Sequence, residues 1–273
     1  MPGPRPGRLG VLGWPVDHSR SPAMHEAAFT ALGLEGYSYQ RLPVPPELFE
    51  ETVRALPAAG FVGANVTVPH KHAALALADS ASETARAIGA ANTLSFTPDG
   101  AIHAENTDAP GLLAALPLEP AGASAVILGA GGSARAAAYA LREAGAQVAV
   151  WNRTLRRART LADDLGLRAI ERPEPADLLV NCTTIGLDES SRGQHGALQS
   201  LALDTDSVGS YVCVVDFVYG SSETRLLAAA RERGVRTVDG LEILVAQGAL
   251  SFELWTGLTA PREAMARAAM EAS

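Results

Sequence analysis

Gly129-Ala130-Gly131-Gly132-Ser133-Ala134 stands between an apolar run at 125–128 and an alanine-rich segment of helical character at 133–144. The pattern is G-x-G-x-x-A at a strand-to-helix turn, and the setting gives it weight, because bare glycine patterns also occur in structural turns. Gly129 permits the tight turn, Gly131 lets the backbone approach a pyrophosphate, and Ala134 allows the helix to pack close on the strand. The helix N-terminus supplies N–H groups and the positive end of a dipole, with Ala130, Gly132 and Ser133 completing a phosphate cradle. The stretch reads as the opening turn of a dinucleotide fold.

The segments on either side agree with that reading. After Pro117 and Pro120, strands are expected at 125–128, 147–151, 178–181, 212–216 and 236–238, with helices at 133–144, 155–165 and 224–233 between them. This is a doubly wound, Rossmann-type series. Ahead of it, strands at 9–12, 37–42 and 63–66 alternate with helices at 22–32, 46–56, 70–78 and 82–88. Ser21 is expected as the N-cap of the first helix and Pro22 as its first residue. The segments 92–96 and 101–105 flank Pro98-Asp99-Gly100 as a hairpin that interrupts the parallel rhythm. The stretch 188–210 reads as a surface loop with a short helical turn, and two helices, 242–256 and 261–272, close the chain.

Alternating strands and helices predict an α/β protein with mostly parallel sheets. At about 150 residues per domain, 273 residues suggest two domains. An excess of 30 acidic over 22 basic residues, net −8, opposes a phosphate backbone, so no nucleic-acid partner is expected. No apolar run approaches the roughly 20 residues of a membrane span, and the N-terminus lacks the roughly 7 to 15 of a signal core. A short disordered lead-in and a cytoplasmic protein without membrane partners are expected. Cys182 and Cys213 read as reduced core thiols. His18, His25, His70, His72, His103 and His195 show no ligand spacing, so no metal is assigned.

Enzymes that use NAD place a carboxylate at the end of the second strand of this fold, where it meets the ribose 2′-hydroxyl. Here Trp151 is followed by Asn152-Arg153-Thr154. Arg153, with Arg156 or Arg157 one turn on, suits a 2′-phosphate through its forked donors, so NADP is the expected cofactor. The competing reading, a solvated basic helix start, is disfavoured by the helix dipole.

In the first half, Gly13-Trp14-Pro15-Val16-Asp17-His18-Ser19-Arg20-Ser21-Pro22 leads from a strand into a helix with hydroxyls at alternate positions. Asn65-Val66-Thr67-Val68-Pro69-His70-Lys71 puts an amide, a hydroxyl and an ammonium at the carboxyl end of a strand, where α/β proteins bind ligands. Ala90-Ala91-Asn92-Thr93 and Glu105-Asn106-Thr107-Asp108 add further polar groups beside apolar strands.

With these loops, followed in order by the glycine turn, Asn-Arg-Thr, Asp216-Phe217-Val218-Tyr219, and Gly240-Leu241 leading to Gln247 and then Phe252-Glu253-Leu254-Trp255-Thr256-Gly257, the chain resembles the shikimate dehydrogenase family over about 11–255. The resemblance implies NADPH reduction of 3-dehydroshikimate to shikimate, on the route to chorismate and aromatic amino acids, by a two-domain protein. It implies Lys71 and Asp108 as the catalytic pair. Ser19, Ser21 and Tyr219 would hold the substrate carboxylate, and Thr67, Asn92 and Gln247 its ring hydroxyls. Gly129 to Ala134, Asn152, Arg153, Thr154, Arg157, Thr183, Phe217 and Gly240 would hold the cofactor. Reducing a ketone places negative charge on its oxygen, so a positioned cation able to give a proton lowers the barrier, and an adjacent carboxylate would orient it.

Gln247 then belongs with the substrate residues, which makes the first domain discontinuous: 1–107 with 243–273 around a nucleotide domain at 108–242. A monomer or homodimer is expected, acting on a small molecule. His70, Glu26 and Gly220-Ser221-Ser222 depart from the family pattern, and a protonated His70 would repel Lys71. A quinate or dual quinate/shikimate enzyme using NAD, and a non-catalytic regulatory homologue, are the competing readings. Arg153 argues against the first, and the presence of both Lys71 and Asp108 against the second.

Overall fold

A computed structural model describes residues 6–187, 196–220 and 222–272. His195, Ser221 and part of the expected loop at 188–210 lie outside these residues. The chain divides into two compact units, Met1–Gly111 with Leu244–Ser273, and Leu112–Ile243.

The first unit opens with β1 (Arg8–Gly13), α1 (Ser21–Ala31) and β2 (Ser38–Pro43), followed by α2 (Phe49–Ala55) and β3 (Gly63–Val66). Next come α3 (Lys71–Leu77), the two-residue β4 (Ser80–Ala81) and α4 (Glu83–Ile88). The hairpin of β5 (Thr93–Phe96) and β6 (Ile102–Glu105) leads into α5 (Asp108–Ala115). The sheet order is β2-β1-β3-β5-β6-β4. β1 runs parallel to β2 and β3, and β4 to β6, whereas β5 is antiparallel to both neighbours. Because side chains alternate along a strand, Ala64 and Val66 of β3 face one layer, with Phe49, Val53, Ala74 and Leu77. Gly63 and Asn65 face the other, where Trp255 and Tyr39 lie.

The second unit contains β7 (Ser124–Leu128), α6 (Gly132–Glu143), β8 (Gln147–Trp151), α7 (Leu155–Leu165), β9 (Arg168–Ile170) and β10 (Leu178–Asn181). The short α8 (Gly196–Ser200) and α9 (Thr205–Val208) precede β11 (Cys213–Asp216), α10 (Arg225–Glu232) and β12 (Arg236–Val238). All pairings are parallel in the order β12-β11-β10-β7-β8-β9, the dinucleotide-fold order with β7 as first strand. Ile127, Val150, Val180 and Val215 meet Ala138, Leu141 and Leu161 on one face. Val126, Leu128, Leu179 and Val214 meet Leu198, Val208 and Leu227 on the other. Burial of each large apolar side chain contributes about 1.5–3 kcal/mol. Cys213 is part of this core, and burial pushes its thiol pKa up to about 11. The chain ends in α11 (Gly240–Thr256) and α12 (Arg262–Glu271).

Several details depart from expectation. Ser21 does not cap α1; it is the first helical residue, Arg20 is the cap position without a side-chain bond, and Ser21 N–H donates to Ser19 Oγ at 3.3 Å. The segment 46–56 opens as a 3₁₀ turn, Pro46–Leu48, before α2. β4, β9 and α5 carry no clear local signal. α5 contains Pro110 and Gly111, but proline is tolerated in a first turn, and a Cβ on Gly111 would come within 2.7–2.9 Å of Gln247. α11 starts earlier than 242 because Asp239 Oδ1 accepts from Leu241 and Glu242 N–H while Glu242 accepts from Asp239 N–H in return, a capping box. Asp108 groups with the first unit, whose boundary falls inside α5 after Gly111 rather than before Asp108.

Candidate active site

In the first unit the strand ends collect the site. Thr67 and Ser19 follow β3 and β1, and Thr67 N–H donates to Leu12 O at 2.8 Å while Trp14 N–H donates to Val68 O at 3.0 Å. β5 runs against β3, so Asn92, just before it, returns to the same end; Val66 N–H donates to Asn92 O at 2.8 Å. Lys71 and Asp108 are the first residues of α3 and α5, and Lys71 Nζ lies 2.6 Å from Asp108 Oδ2, both buried.

Asp108 is held by a further bond. Asp108 Oδ1 accepts from Asn92 Nδ2 at 2.9 Å. Asn92 Oδ1 accepts from Thr107 N–H at 2.7 Å, and because a backbone N–H only donates, the amide orientation is fixed. Gln247 Nε2 donates to Leu244 O at 2.8 Å, which turns Gln247 Oε1 toward Asn92 Nδ2 at 3.1 Å. Gln247 is buried in this cluster and does not face solvent.

Ser19 and Ser21 are buried, and the Ser19 carbonyl accepts a fork from Arg41 Nε and Nη2 at 2.9 and 2.7 Å. The repulsion that a protonated His70 would exert on Lys71 is opposed by burial of the His70 ring. Its ring is buried against Phe49 at 4.3 Å, its Nε2 lies 2.8 Å from Val44 O, and burial lowers its pKa, which favours the neutral ring and works against like-charge repulsion. Asn65, Thr93, Thr107, Ser251 and Tyr39 join the cluster without an expected role. Only the alternation that puts Asn65 on the face opposite Val66 points that way.

In the second unit the glycine turn lies at the carboxyl end of β7, the central strand. Gly129 has φ of +114°, a left-handed conformation open to glycine, and its N–H donates to Trp151 O at 2.8 Å. That bond puts Asn152, Arg153 and Thr154 beside the turn. Gly131 is the cap residue of α6, supplies no side-chain acceptor, and a Cβ built there meets nothing within 4 Å. Ala134 is fully buried against the sheet. Arg153, Arg156 and Arg157 are exposed, and no carboxylate stands at 152–154. An open cap and adjacent guanidinium groups fit a dinucleotide with a 2′-phosphate.

Thr183 and Phe217 follow β10 and β11 at the same edge, and a Cβ on Gly240 would come within 2.7 Å of Val218 O. Asp216 joins these loops, a role that sequence alone does not assign. Its carboxylate accepts from Asn181 Nδ2 at 2.9 Å, Val218 N–H at 3.0 Å and Thr224 Oγ1 at 2.7 Å, while burial pushes its pKa up to about 6. Asn181 Oδ1 in turn accepts from Thr183 N–H and Oγ1 at 3.0 and 2.7 Å. Tyr219 is half-buried on the loop after β11. Among the described residues no helix is long and apolar enough to cross a membrane, and no three His, Cys, Asp or Glu side chains gather as metal ligands.

Comparison with known proteins adds an independent line. The chain matches the shikimate dehydrogenase substrate binding domain at 11–94, the shikimate / quinate 5-dehydrogenase model at 114–182 and the shikimate 5′-dehydrogenase C-terminal domain at 240–270. It is 45% identical to a shikimate dehydrogenase (NADP(+)) of Thermus thermophilus over 97% of this chain and 98% of that one. It is 43% identical to the protein of that name from Methanopyrus kandleri, over 96% and 94% of the two chains. A crystal structure of shikimate 5-dehydrogenase from another strain of Thermus thermophilus, in complex with NADP(H) and shikimate, is similar at a TM-score of 0.84 and 42% identity, covering 96% of this chain and 98% of that one. With matches at this identity over nearly its whole length, and both the Lys71–Asp108 pair and the glycine turn in place, the chain belongs to the shikimate dehydrogenase family.

Proposed function

We propose that the protein catalyses the reversible, NADP-linked reduction of 3-dehydroshikimate to shikimate, in the route to chorismate and aromatic amino acids in the cytoplasm. The observation that carries this is the buried contact of 2.6 Å between Lys71 Nζ and Asp108 Oδ2 at the strand ends. When bound, the nicotinamide supplies the hydride to the ring carbon of the ketone or removes it from the alcohol. Lys71 gives a proton to the oxygen as negative charge grows there, and takes it back in the reverse direction. Asp108 aims the ammonium. Its other oxygen is held by Asn92, so the carboxylate presents one oxygen to Lys71.

Ser19 and Ser21, with Tyr219, hold the substrate carboxylate through hydroxyls, and Thr67, Asn92 and Gln247 hold ring hydroxyls. The turn from Gly129 to Ala134 receives the pyrophosphate, Asn152, Arg153, Thr154 and Arg157 the 2′-phosphate end, and Thr183, Phe217 and Gly240 the nicotinamide end. The deciding experiment is steady-state oxidation of shikimate and of quinate, each with NADP and NAD, by wild type and Lys71→Ala. The expected result is preference for shikimate with NADP and a loss in the variant on the order of 10²–10⁴-fold. Preference for quinate with NAD, or a fully active variant, overturns the assignment.

A further inference from the structure

Beneath Asn92 three buried hydroxyls meet: Thr93, Thr107 and Ser251. Thr93 Oγ1 lies 2.9 Å from Ser251 Oγ and 3.2 Å from Thr107 Oγ1, and Thr107 Oγ1 lies 3.1 Å from Ser251 Oγ. They come from β5, from the residue before α5 and from α11, far apart in sequence. The triangle is surrounded by three side-chain amides. Thr107 Oγ1 is 2.9 Å from Asn92 Nδ2 and 3.4 Å from Gln247 Oε1, and Ser251 Oγ accepts from Asn65 Nδ2 at 2.9 Å.

Each amide is clamped by a backbone group that allows one orientation: Asn92 by Thr107 N–H, Gln247 by Leu244 O, and Asn65 by Asn92 O. Tyr39 O–H then donates to Asn65 Oδ1 at 2.8 Å. Hydroxyls both give and accept, so the triangle is where amides of fixed polarity are joined without a clash of like groups. A cluster satisfied in this way is rigid, and a gap in it frees its neighbours.

We propose that the Thr93–Thr107–Ser251 triangle positions the catalytic pair: the Thr107 N–H sets which way the Asn92 amide faces, and the hydroxyls hold that amide in place against Asp108 Oδ1, which leaves Oδ2 for Lys71. The proposal rests on the reading of Lys71 and Asp108 given above. These hydroxyls act through Asn92 and are positioning residues. Thr107 carries the largest share, because its hydroxyl touches Asn92, the amide that reaches Asp108, and lies beside Gln247 as well.

Thr107→Val keeps the shape and the backbone N–H while deleting the hydroxyl, and Thr107→Ser restores it. Shikimate oxidation with NADP is measured for wild type, both variants and Ser251→Ala, with a thermal melt for each. The expected result is a kcat lowered on the order of 10-fold or more in Thr107→Val, with the KM for NADP unchanged, a smaller loss in Ser251→Ala, and recovery to within a few-fold in Thr107→Ser. Thr107→Val with wild-type kcat overturns the proposal. So does a loss that Thr107→Ser shares, which marks packing rather than the hydroxyl. A wild type without shikimate oxidation removes the functional reading itself, and the triangle's role with it.

Discussion

His25 on α1 is buried completely among aromatic rings, stacked on Tyr39 at 4.3 Å with Phe252 and Trp255 at 6.4 and 5.7 Å. Neither ring nitrogen has a hydrogen-bond partner. Charging the ring there finds no compensation, and burial pushes its pKa from 6.5 down to about 3. Between those values the unfolded chain binds a proton that the folded chain refuses, so stability is full above pH 6.5 and is lost as pH falls toward 3. At about 1.36 kcal/mol per pH unit, acidification from pH 8 to pH 5 costs about 2 kcal/mol at this residue. Asp216 works in the opposite sense. Its folded pKa is raised from 3.8 to about 6, so over the same interval its protonation returns about 1.4 kcal/mol. The two contributions oppose each other, and the lowered pKa values of His18 and His70 add to the cost of acidification, so the wild-type slope does not isolate either group. His25→Phe keeps a stacked ring and removes the titration, and any packing offset it introduces is independent of pH. Urea denaturation of both proteins at pH 8, 6 and 5 gives the test: the stability difference, variant minus wild type, should grow by about 2 kcal/mol between pH 8 and pH 5. A constant difference across that range would refute the argument, because it would mean that His25 is protonated in the folded protein or partnered there.

Arg153→Ala should raise the KM for NADP on the order of 10-fold while leaving that for NAD nearly unchanged; parallel kinetics with the two cofactors check it, and equal effects count against a 2′-phosphate contact. A Cβ at Gly131 meets nothing in the protein, so Gly131→Ala should melt like wild type yet bind NADP more weakly by fluorescence titration. Weakened melting would place the glycine's role in the fold instead. Asp108→Asn keeps the shape of the site but leaves the Lys71 ammonium without its carboxylate, so kcat should fall on the order of 10²-fold with NADP binding retained. His70→Phe should leave the pH profile of kcat unmoved, since burial favours the neutral ring, and a shifted profile would restore the repulsion.

The parts of the fold that are legible in the sequence are those whose local chemistry suffices. β8, β10, β12 and α7 carry their expected bounds, because apolar runs stop at Asn, Asp or Gly and α7 has its apolar stripe beside exposed arginines. The rest depends on distant partners. α5 holds proline and glycine in its first half, local signs of a break, and its form depends on Gln247 lying too close to Gly111 for any Cβ. Ser21 has the identity of a cap but lacks the geometry, since Arg20 takes the cap position in a helical conformation. The Lys71–Asp108 pair is legible through ordered motifs. The hydroxyl triangle is not, because positions 93, 107 and 251 share no spacing and meet only once β5, α5 and α11 are in place.

The two buried aspartates show how similar positions acquire different properties. Asp108 and Asp216 both stand at strand ends with almost no exposure, and each accepts from an asparagine side-chain amide at 2.9 Å. Asp108 meets a cation, which keeps the pair net neutral and gives its carboxylate a directed role toward Lys71. The donors that reach Asp216 from Asn181, Val218 and Thr224 are neutral, and desolvation outweighs them, which is why its pKa rises. An acceptor that must serve three donors, one from the end of β10 and two from the connection between β11 and α10, still needs two oxygens, and an asparagine there would offer one. The carboxylate at Asp216 is thus explained by geometry, as the fork that holds the loops of Thr183 and Tyr219, whereas the carboxylate at Asp108 is explained by charge.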